Sequence, residues 1–276
     1  MRLNSELSEF FGHIWSPFSI NQFVPFRMKI IQLTDLHIGQ PHENTHGVDV
    51  RANFLEVLKN AVREAPDHLV VSGDLCLMQG DAGVYEWIKK HLDQTGIPYD
   101  LISGNHDDPE MLARVFGREK AVRDGQLFYR KNIGDQLCLF LDTTHYELPP
   151  AQVEWLGEQL ARHSGRLLIF IHHPVLSSGV PFMDGKHGLR NMETVQDLLF
   201  QYGHPVHLFC GHYHVDKVVS KKNISVYITP SAYFQISDRT PDFSVDHYRI
   251  GFRTLRLEGD ILQTSVRYFE GHTLPD

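Results

Sequence analysis

The chain has 276 residues and a formal net charge of −8, with 42% hydrophobic and 22% charged residues. This length and balance are typical of a globular protein with a sizeable core, and the negative charge argues against a nucleic-acid-binding protein that relies on a basic face. Because the three cysteines (Cys76, Cys138 and Cys210) are widely spaced, we expect neither a disulfide framework nor a cysteine zinc cluster, and the simplest interpretation is a reducing, cytoplasmic setting.

The first 27 residues carry several aromatic side chains, which polar residues and prolines interrupt. They lack the apolar core and the small-residue cleavage site of a signal peptide, and no run in the chain approaches the roughly 20 apolar residues that span a bilayer. We therefore predict an N-terminal extension over residues 1–27 and a main domain over residues 28–276. The extension is expected to pack on the domain or on a partner subunit, with a peripheral membrane contact as the less favoured alternative.

Short apolar runs alternate with segments of helical periodicity through most of the chain. The runs predict strands at residues 28–33, 68–71, 99–102, 127–129, 137–141, 167–171 and 206–209. The periodic segments predict helices from about residue 51, over roughly 82–94 and 109–116, from the Pro149-Pro150 pair, and near 192–202. Segments 215–219, 225–228, 248–257 and 262–269 alternate like antiparallel strands. The pattern favours the α/β class, with a largely parallel sheet that is buried on both faces.

Polar side chains follow five of the predicted strands at the points where the strands end. They are Asp35 and His37, Asp74, Asn105 with His106 and Asp107, His172 and His173, and His212 and His214. In a parallel sheet the ligand site lies beyond the carboxyl ends of the strands, so we expect these side chains to meet in one crevice. Each motif alone is more often turn chemistry or a satisfied buried histidine, but five at successive strand ends favour one shared site.

The chemistry of this set predicts a metal centre. Imidazoles mixed with carboxylates and an amide oxygen suit Mn, Fe, Zn or Co, whereas Ca or Mg would favour an all-oxygen set. The ligands exceed what one ion needs, and two ions about 3.5–4 Å apart that share a carboxylate would use them all, as in two-metal hydrolysis. Two divalent cations, two carboxylates and a bridging hydroxide leave a net positive charge, which would attract an anionic phosphate.

The order of the motifs also points to a known family. The segments Asp35-Leu36-His37, Gly73-Asp74, Gly104-Asn105-His106-Asp107, His172-His173-Pro174 and Gly211-His212-Tyr213-His214 resemble the calcineurin-like metallophosphoesterase superfamily. Within it, the chain is similar to the class III cyclic-nucleotide phosphodiesterases and their glycerophosphodiesterase relatives. The resemblance covers about residues 28–269. It implies a catalytic domain with two facing mixed β-sheets flanked by helices, in four αββα layers, with the late strands building the second sheet.

The resemblance also implies a role for each motif residue. One ion would be held by Asp35, His37, Asp74 and His214, and the second by Asp74, Asn105, His172 and His212, with Asp74 bridging. His106 would lie beside the scissile phosphate, where it stabilises developing charge or protonates the leaving oxygen. Asp107 would orient a neighbouring group. The choice of His172 over His173 follows the family pattern, and the spacing leaves open whether His173 contributes to the site.

The expected activity is that of a dinuclear metal-dependent phosphodiesterase, which hydrolyses a small phosphodiester by attack of a metal-bound hydroxide. A 3',5'-cyclic nucleotide is the favoured substrate, and iron and manganese are the favoured ions, with zinc or cobalt as alternatives. A glycerophosphodiesterase or a broad-specificity phosphomonoesterase is the alternative enzyme. A non-catalytic scaffold that binds a protein partner is disfavoured because no expected ligand is missing. Family analogy alone suggests a homo-oligomer.

Specificity is expected in three loops, at residues 39–50, 174–190 and 231–246, which the motifs do not define. His42, His46 and Asp49 in the first loop, and His187 and Arg190 in the second, are by default solvated loop residues, with substrate contact as the alternative. The second loop is placed to cover the site.

Overall fold

The structure is a computed structural model in which residues 28–41 and 43–274 are described. The strands are β1 Met28–Leu33, β2 His68–Ser72, β3 Tyr99–Ile102, β4 Val122–Arg123, β5 Gln126–Leu127, β6 Tyr129–Ile133, β7 Gln136–Leu141, β8 Leu167–Ile171, β9 Val206–Cys210, β10 Lys217–Lys221, β11 Ile224–Ile228, β12 Gln235–Ile236, β13 Val245–His247, β14 Ile250–Glu258 and β15 Ile261–Phe269. The helices are α1 Val50–Arg63, α2 Ala82–Gln94, α3 Pro109–Phe116, α4 Pro150–Ala161, α5 Pro181–Lys186 and α6 Met192–Gln201, with a 3₁₀ turn at Glu119–Ala121.

Two mixed sheets contain most of these strands. The first has the order β15-β14-β1-β2-β3, in which β1, β2 and β3 are parallel to one another. The second has the order β10-β11-β9-β8-β7-β6, in which the four central strands are parallel and the two edge strands are antiparallel. The α/β class and the pair of mixed sheets are confirmed.

The expectation that the late strands build the second sheet holds for β10 and β11 but is wrong for β14 and β15. Strand β14 pairs antiparallel with β1, from Met28 opposite Leu257 to Gln32 opposite Arg253, and β15 then pairs with β14 at the edge of the first sheet. The second sheet is completed instead by β10 and β11. Pairing with β14 makes β1 a central strand, which explains why its residues Ile30 and Ile31 are both fully buried.

The two sheets pack face to face, with helices on their outer faces. The inner cluster contains Ile30, Val70 and Ile102 from the first sheet and Phe140 and Phe170 from the second. The neighbours of these residues along the strands point outward, to a larger cluster shared with the helices. Strand residues are therefore buried on both faces, which accounts for apolar runs without the alternation typical of a half-exposed strand.

The helix that follows the third strand begins directly behind the motif Asn105-His106-Asp107. Asp108 caps α3, because its carboxylate accepts a hydrogen bond from the main-chain N–H of Met111 over 2.9 Å, and Pro109 occupies the first turn. The helix ends at Gly117, whose φ of 67° is in the left-handed region that glycine adopts without strain. These signals fix the point where the loop becomes helix and so position the preceding side chains.

The predicted extension over residues 1–27 and His42 lie outside the described residues, so the division into an extension and a domain stays a prediction. In the described part of the chain, none of the helices combines the length and the apolar character needed to cross a membrane.

Candidate metal centre

The loops that follow the strands hold an unusual concentration of left-handed backbone. Positive φ angles of 46–64° occur at Asp35, His37, Asp74, His212 and His214, all of them predicted ligands. Residues other than glycine rarely adopt this conformation, and it costs free energy that the surrounding structure must offset. Such strain is concentrated at functional sites, because it turns side chains in directions that regular structure does not allow.

The first group of donor atoms combines Asp35, His37 and His214. The Nε2 atoms of the two histidines lie 3.1 Å apart, and His214 Nε2 lies 3.2 Å from Asp35 Oδ1. His214 donates its Nδ1–H to the carbonyl of Phe234 over 2.9 Å, which leaves the Nε2 lone pair facing the group. Two facing imidazole nitrogens can share only one proton, whereas a metal ion can accept a lone pair from each of them.

The second group combines Asp74, His172 and His212. His172 Nε2 lies 3.1 Å from Asp74 Oδ2, while its Nδ1–H is directed at the carbonyl of Ser72 over 2.9 Å. His212 donates its Nε2–H to the carbonyl of His187 over 2.9 Å, so its Nδ1 carries the lone pair. Both histidines therefore have one ring nitrogen fixed by the main chain and the other free to bind a cation.

Asp74 connects the two groups. Its Oδ2 atom lies 3.1 Å from His172 Nε2 in the second group and 3.8 Å from His37 Nε2 in the first. The main-chain N–H of His106 donates to the other oxygen, Oδ1, over 2.9 Å and holds the carboxylate in place. Asp74 thus presents one carboxylate oxygen to donor atoms of both groups.

The protonation states match those of metal ligands. Burial lowers the pKa of both His37 and His212 to about 3. Burial raises the pKa of Asp35, but the charges of His214 and His172 outweigh it and lower the pKa to about 2. Neutral imidazoles and an ionised carboxylate at neutral pH are the forms that bind metal.

His172 shows the opposite shift. Burial lowers its pKa, but the facing charge of Asp74 outweighs this and raises it to about 9. A cation bound between Asp74 and His172 would take the place of that proton on Nε2.

A buried oxygen without a partner supports the same conclusion. Among the described residues, the side-chain oxygen Oδ1 of Asn105 is buried and has no hydrogen-bond partner. Leaving such a group unsatisfied costs about 1–3 kcal/mol, and coordination to a metal ion would remove that cost. Carboxylate, imidazole and amide donors together suit a transition-metal ion, so the residues fit the metal ions that the sequence predicts.

His106 lies beside both groups. Its side chain is 30% exposed, its Nδ1 lies 3.2 Å from the carbonyl of Met78, and its Nε2 lies 4.0 Å from Asp74 Oδ2. His37, Asp74 and His106 themselves form a third group of donor atoms close enough to hold an ion. The geometry therefore allows His106 either to act on a substrate or to bind a metal ion.

Asp107 has a different setting. It is buried, and its carboxylate accepts hydrogen bonds from the main-chain N–H groups of Leu75, Cys76 and Gly104 and from the hydroxyl of Tyr85. These bonds fasten the loop after β3 to the loop after β2. Asp107 therefore orients the main chain that carries the neighbouring site residues.

His173 packs behind the second group. Its Nδ1 lies 2.7 Å from the Thr143 hydroxyl, and its ring centroid lies 4.0 Å from that of His212 and 4.6 Å from that of Tyr146. Burial lowers its pKa well below the usual value. Its ring packs against that of His212, whereas His172 is the histidine whose Nε2 lies 3.1 Å from Asp74 Oδ2.

A cavity of about 510 Å³ opens above the donor groups. Its polar floor consists of His37, Asp74, Asn105, His106, His212 and His214. Sequence reasoning missed the aromatic residues that line it, Tyr146, Phe182, Tyr233 and Phe234. The last three lie in the two loops expected to set specificity, but their types and spacing carried no signal that could have singled them out.

The remaining loop residues divide between the cavity and the fold. His46 and His187 line the cavity. Asp49 caps α1 by accepting from the main-chain N–H of Ala52 over 2.9 Å, which gives it a role in the fold. The guanidinium of Arg190 lies 5.9 Å from the ring centre of Tyr146 and so supports a cavity wall.

Comparison with known proteins identifies the family. The family model described as calcineurin-like phosphoesterase matches residues 28–216, more than half of the chain. The chain is a calcineurin-like phosphoesterase. This phosphoesterase is therefore a metal-dependent hydrolase of phosphoric esters, and the family predicted from the motifs is confirmed.

Relatives with curated names are similar over most of their length. The 3',5'-cyclic adenosine monophosphate phosphodiesterase CpdA of Escherichia coli K12 is 32% identical over 267 residues, which cover 91% of each chain. A Fibrobacter succinogenes protein named probable cyclic nucleotide phosphodiesterase is 31% identical over 242 residues, 88% of this chain and 94% of that one. Among solved structures, a dimetal phosphatase from Danio rerio has a TM-score of 0.67 at 16% identity, covering 90% of this phosphoesterase and 98% of that chain, and it supports the fold.

Proposed function

We propose that this phosphoesterase is a dinuclear metal-dependent phosphodiesterase that hydrolyses 3',5'-cyclic nucleotides. The observation that carries the dinuclear part is the position of Asp74 between two groups of donor atoms, 3.1 Å from His172 and 3.8 Å from His37. The substrate part is supported by the relatives named as cyclic nucleotide phosphodiesterases, which align with about nine-tenths of the chain. Catalysis is assigned to the domain at residues 28–276.

The residues that would hold the ions follow from the two groups. Asp35, His37, Asp74 and His214 would bind one ion, and Asp74, Asn105, His172 and His212 the other. Iron or manganese is the proposed pair, with zinc or cobalt as the alternative, because all four suit a set that mixes nitrogen and oxygen donors. When bound, such ions lower the pKa of a coordinated water to about 7 and draw charge from the phosphoryl oxygens.

The protein supplies proton transfer and orientation. His106 is proposed to protonate the leaving oxygen from Nε2, since its Nδ1–H is held by the carbonyl of Met78. Asp107 keeps His106 in place through the main chain of the loop, and its hydrogen bonds to Leu75 and Gly104 fix the separation of the two loops. Asp74, His37, His212 and His214 are buried, and their low exposure to water strengthens the electrostatic interactions among them.

A substrate comparison tests the proposal. The purified protein is stripped with a chelator, reloaded with Mn²⁺ or Fe²⁺, and assayed with 3',5'-cyclic AMP, a glycerophosphodiester and p-nitrophenyl phosphate. We expect two bound ions per chain by mass spectrometry and the highest kcat/KM with cyclic AMP. Faster turnover of the glycerophosphodiester or of the monoester would replace the proposed substrate by that class. A metal-loaded protein inert toward all three esters would contradict the proposed function.

A further inference from the structure

Three phenylalanines form one wall of the cavity mouth. Phe182 and Phe234 line the cavity, and Phe243 lies against both, with ring centroids 5.6 Å from Phe182 and 5.9 Å from Phe234. Phe243 is 54% exposed even with these contacts. We call these residues the aromatic wall. Exposed aromatic rings at the mouth of a polar site indicate a binding surface, because a ligand in the site can cover them.

The aromatic wall is tied directly to the metal centre. The carbonyl of Phe234 accepts the Nδ1–H of His214 over 2.9 Å, and the two rings lie 5.4 Å apart between centroids. His214 is one of the proposed ligands. The hydrogen bond and the ring contact between His214 and Phe234 therefore fix the distance from the charged floor to the aromatic wall.

The loop that carries Phe182 is held in place by Asp184. This carboxylate accepts hydrogen bonds from the main-chain N–H groups of Ser178, Gly179 and Val180 at 2.8–3.1 Å. A preorganised loop loses little conformational entropy when a ligand binds, so the ring of Phe182 is available at low cost.

We propose that the aromatic wall is the binding subsite for the nucleobase of the substrate. The inference rests on the proposed function and extends it to the part of the substrate that does not react. With the phosphate on the charged floor, the organic substituent lies along the cavity, where the wall offers phenyl rings for stacking. Stacking of a base on an aromatic side chain is tolerant of base identity, so purine substrates with different bases should be accepted alike.

The charges around the wall argue against the main alternative, a quaternary ammonium headgroup such as choline. Such a cation binds aromatic rings and prefers a nearby carboxylate. Here Lys186 Nζ lies 5.1 Å from the ring centre of Phe182 and would repel it. The carboxylate among the residues that line the cavity belongs to Asp74, which the proposed ions neutralise. The Asp184 carboxylate, two residues from Phe182, is engaged by main-chain N–H groups, so the wall suits an uncharged flat ring better than a cation.

Variants at Phe243 test the subsite. KM and kcat for 3',5'-cyclic AMP and 3',5'-cyclic GMP, and the inhibition constant of inorganic phosphate, are measured with Mn²⁺ for wild type, Phe243→Ala and Phe243→Trp. We expect Phe243→Ala to raise both KM values about 10-fold, with kcat and the phosphate inhibition constant within about 2-fold of wild type. Phe243→Trp keeps a ring and should restore the KM values. Phe182→Ala should act in the same direction.

Ile261→Ala is the matched control, because Ile261 is 50% exposed and lies on the outer strand of the first sheet, and it should leave all constants unchanged. The subsite would be overturned if Phe243→Ala left KM unchanged, or if it raised the inhibition constant of inorganic phosphate as much as it raised KM. In either case the activity of the wild type would still support the proposed function. Stronger inhibition of wild type by glycerophosphocholine than by adenosine 5'-monophosphate would overturn it in favour of a cationic headgroup. A wild type inert toward both cyclic nucleotides would overturn the proposed function itself, and with it the inference.

Discussion

Tyr85 Oη donates a hydrogen bond to Asp107 Oδ1 over 3.1 Å from a position that is completely buried. The same hydroxyl accepts the main-chain N–H of Asp108 over 2.9 Å. Helix α2 thereby holds the loop that carries His106 through the hydroxyl of Tyr85. The loop is thus fixed by a helix that contributes no side chain to the cavity floor.

The Tyr85→Phe variant tests this support. Removing the hydroxyl leaves Asp107 with one donor fewer and the N–H of Asp108 without its acceptor, so the free energy of unfolding should fall by about 1–2 kcal/mol. Looser placement of His106 should lower kcat by up to about 10-fold. Urea unfolding and steady-state kinetics measure the two effects. Tyr99→Phe removes an exposed hydroxyl bond to Asp93 and should change neither quantity appreciably. Wild-type stability and kcat in Tyr85→Phe would show that the hydroxyl does not hold the loop.

The core of the fold could be predicted because its signals are local. Helices α2 at Ala82–Gln94 and α3 at Pro109–Phe116 fall where the helical periodicity placed them. The strand predicted at residues 127–129 is instead divided, because β5 ends at Leu127 and β6 begins at Tyr129 and continues to Ile133. The polar side chains of β6 concealed its length because an edge strand is half exposed. The pairing of β14 with β1 could not be predicted, since it joins segments more than 200 residues apart and alternation fixes the face of a strand but not its partner.

The polar floor of the site could also be predicted from local signals, whereas the walls of the cavity could not. The floor residues each follow an apolar strand, so the topology of a parallel sheet brings them together. The aromatic wall brings Phe182, from the loop at residues 174–190, together with Phe234 and Phe243, from the loop at residues 231–246. Neither loop has a periodic apolar pattern that would predict this contact. Helix α5, a single short helix within the loop predicted at 174–190, contains Gly185 and depends on the hydrogen bonds that Asp184 accepts from the preceding turn rather than on helix propensity.

His106→Ala separates proton transfer from metal binding. If His106 protonates the leaving oxygen, kcat should fall by about 10²- to 10⁴-fold while the metal content stays at the wild-type value. Kinetics with 3',5'-cyclic AMP and metal analysis by mass spectrometry measure both. His204→Ala, at the end of the sheet opposite the cavity, is the control and should behave as wild type. A drop in bound metal in His106→Ala would instead make His106 a ligand of the group that it forms with His37 and Asp74.

Asp74→Asn tests the bridge. An amide offers one carbonyl oxygen in place of two carboxylate oxygens and carries no charge, so the bound metal should fall from about two ions per chain to one or fewer. The wild-type protein should also lose thermal stability when a chelator removes its ions, because ligands that bind the folded state stabilise it by about 2.7 kcal/mol at 100 times the Kd. Chelation should lower the thermal stability of Asp74→Asn by less than it lowers that of the wild type. Asp124→Asn, in an exposed turn, is the matched control. Two ions retained by Asp74→Asn would argue against a bridging role.

The buried carboxylate of Asp100, which lies away from the metal centre, allows a prediction of how the free energy of unfolding depends on pH. Burial raises the pKa of this carboxyl, but hydrogen bonds from His68 and Lys131 outweigh it and hold the pKa below 3.8. Because the folded pKa is the lower one, the stabilisation is complete above pH 3.8 and is lost as the pH falls through the folded pKa. Asp100→Asn should lower the free energy of unfolding by about 1–3 kcal/mol at pH 7, and the difference from wild type should shrink towards pH 3. Urea unfolding across this range measures it, with the exposed Glu86→Gln as the control; a difference that is constant with pH would exclude the ionised carboxylate as its source.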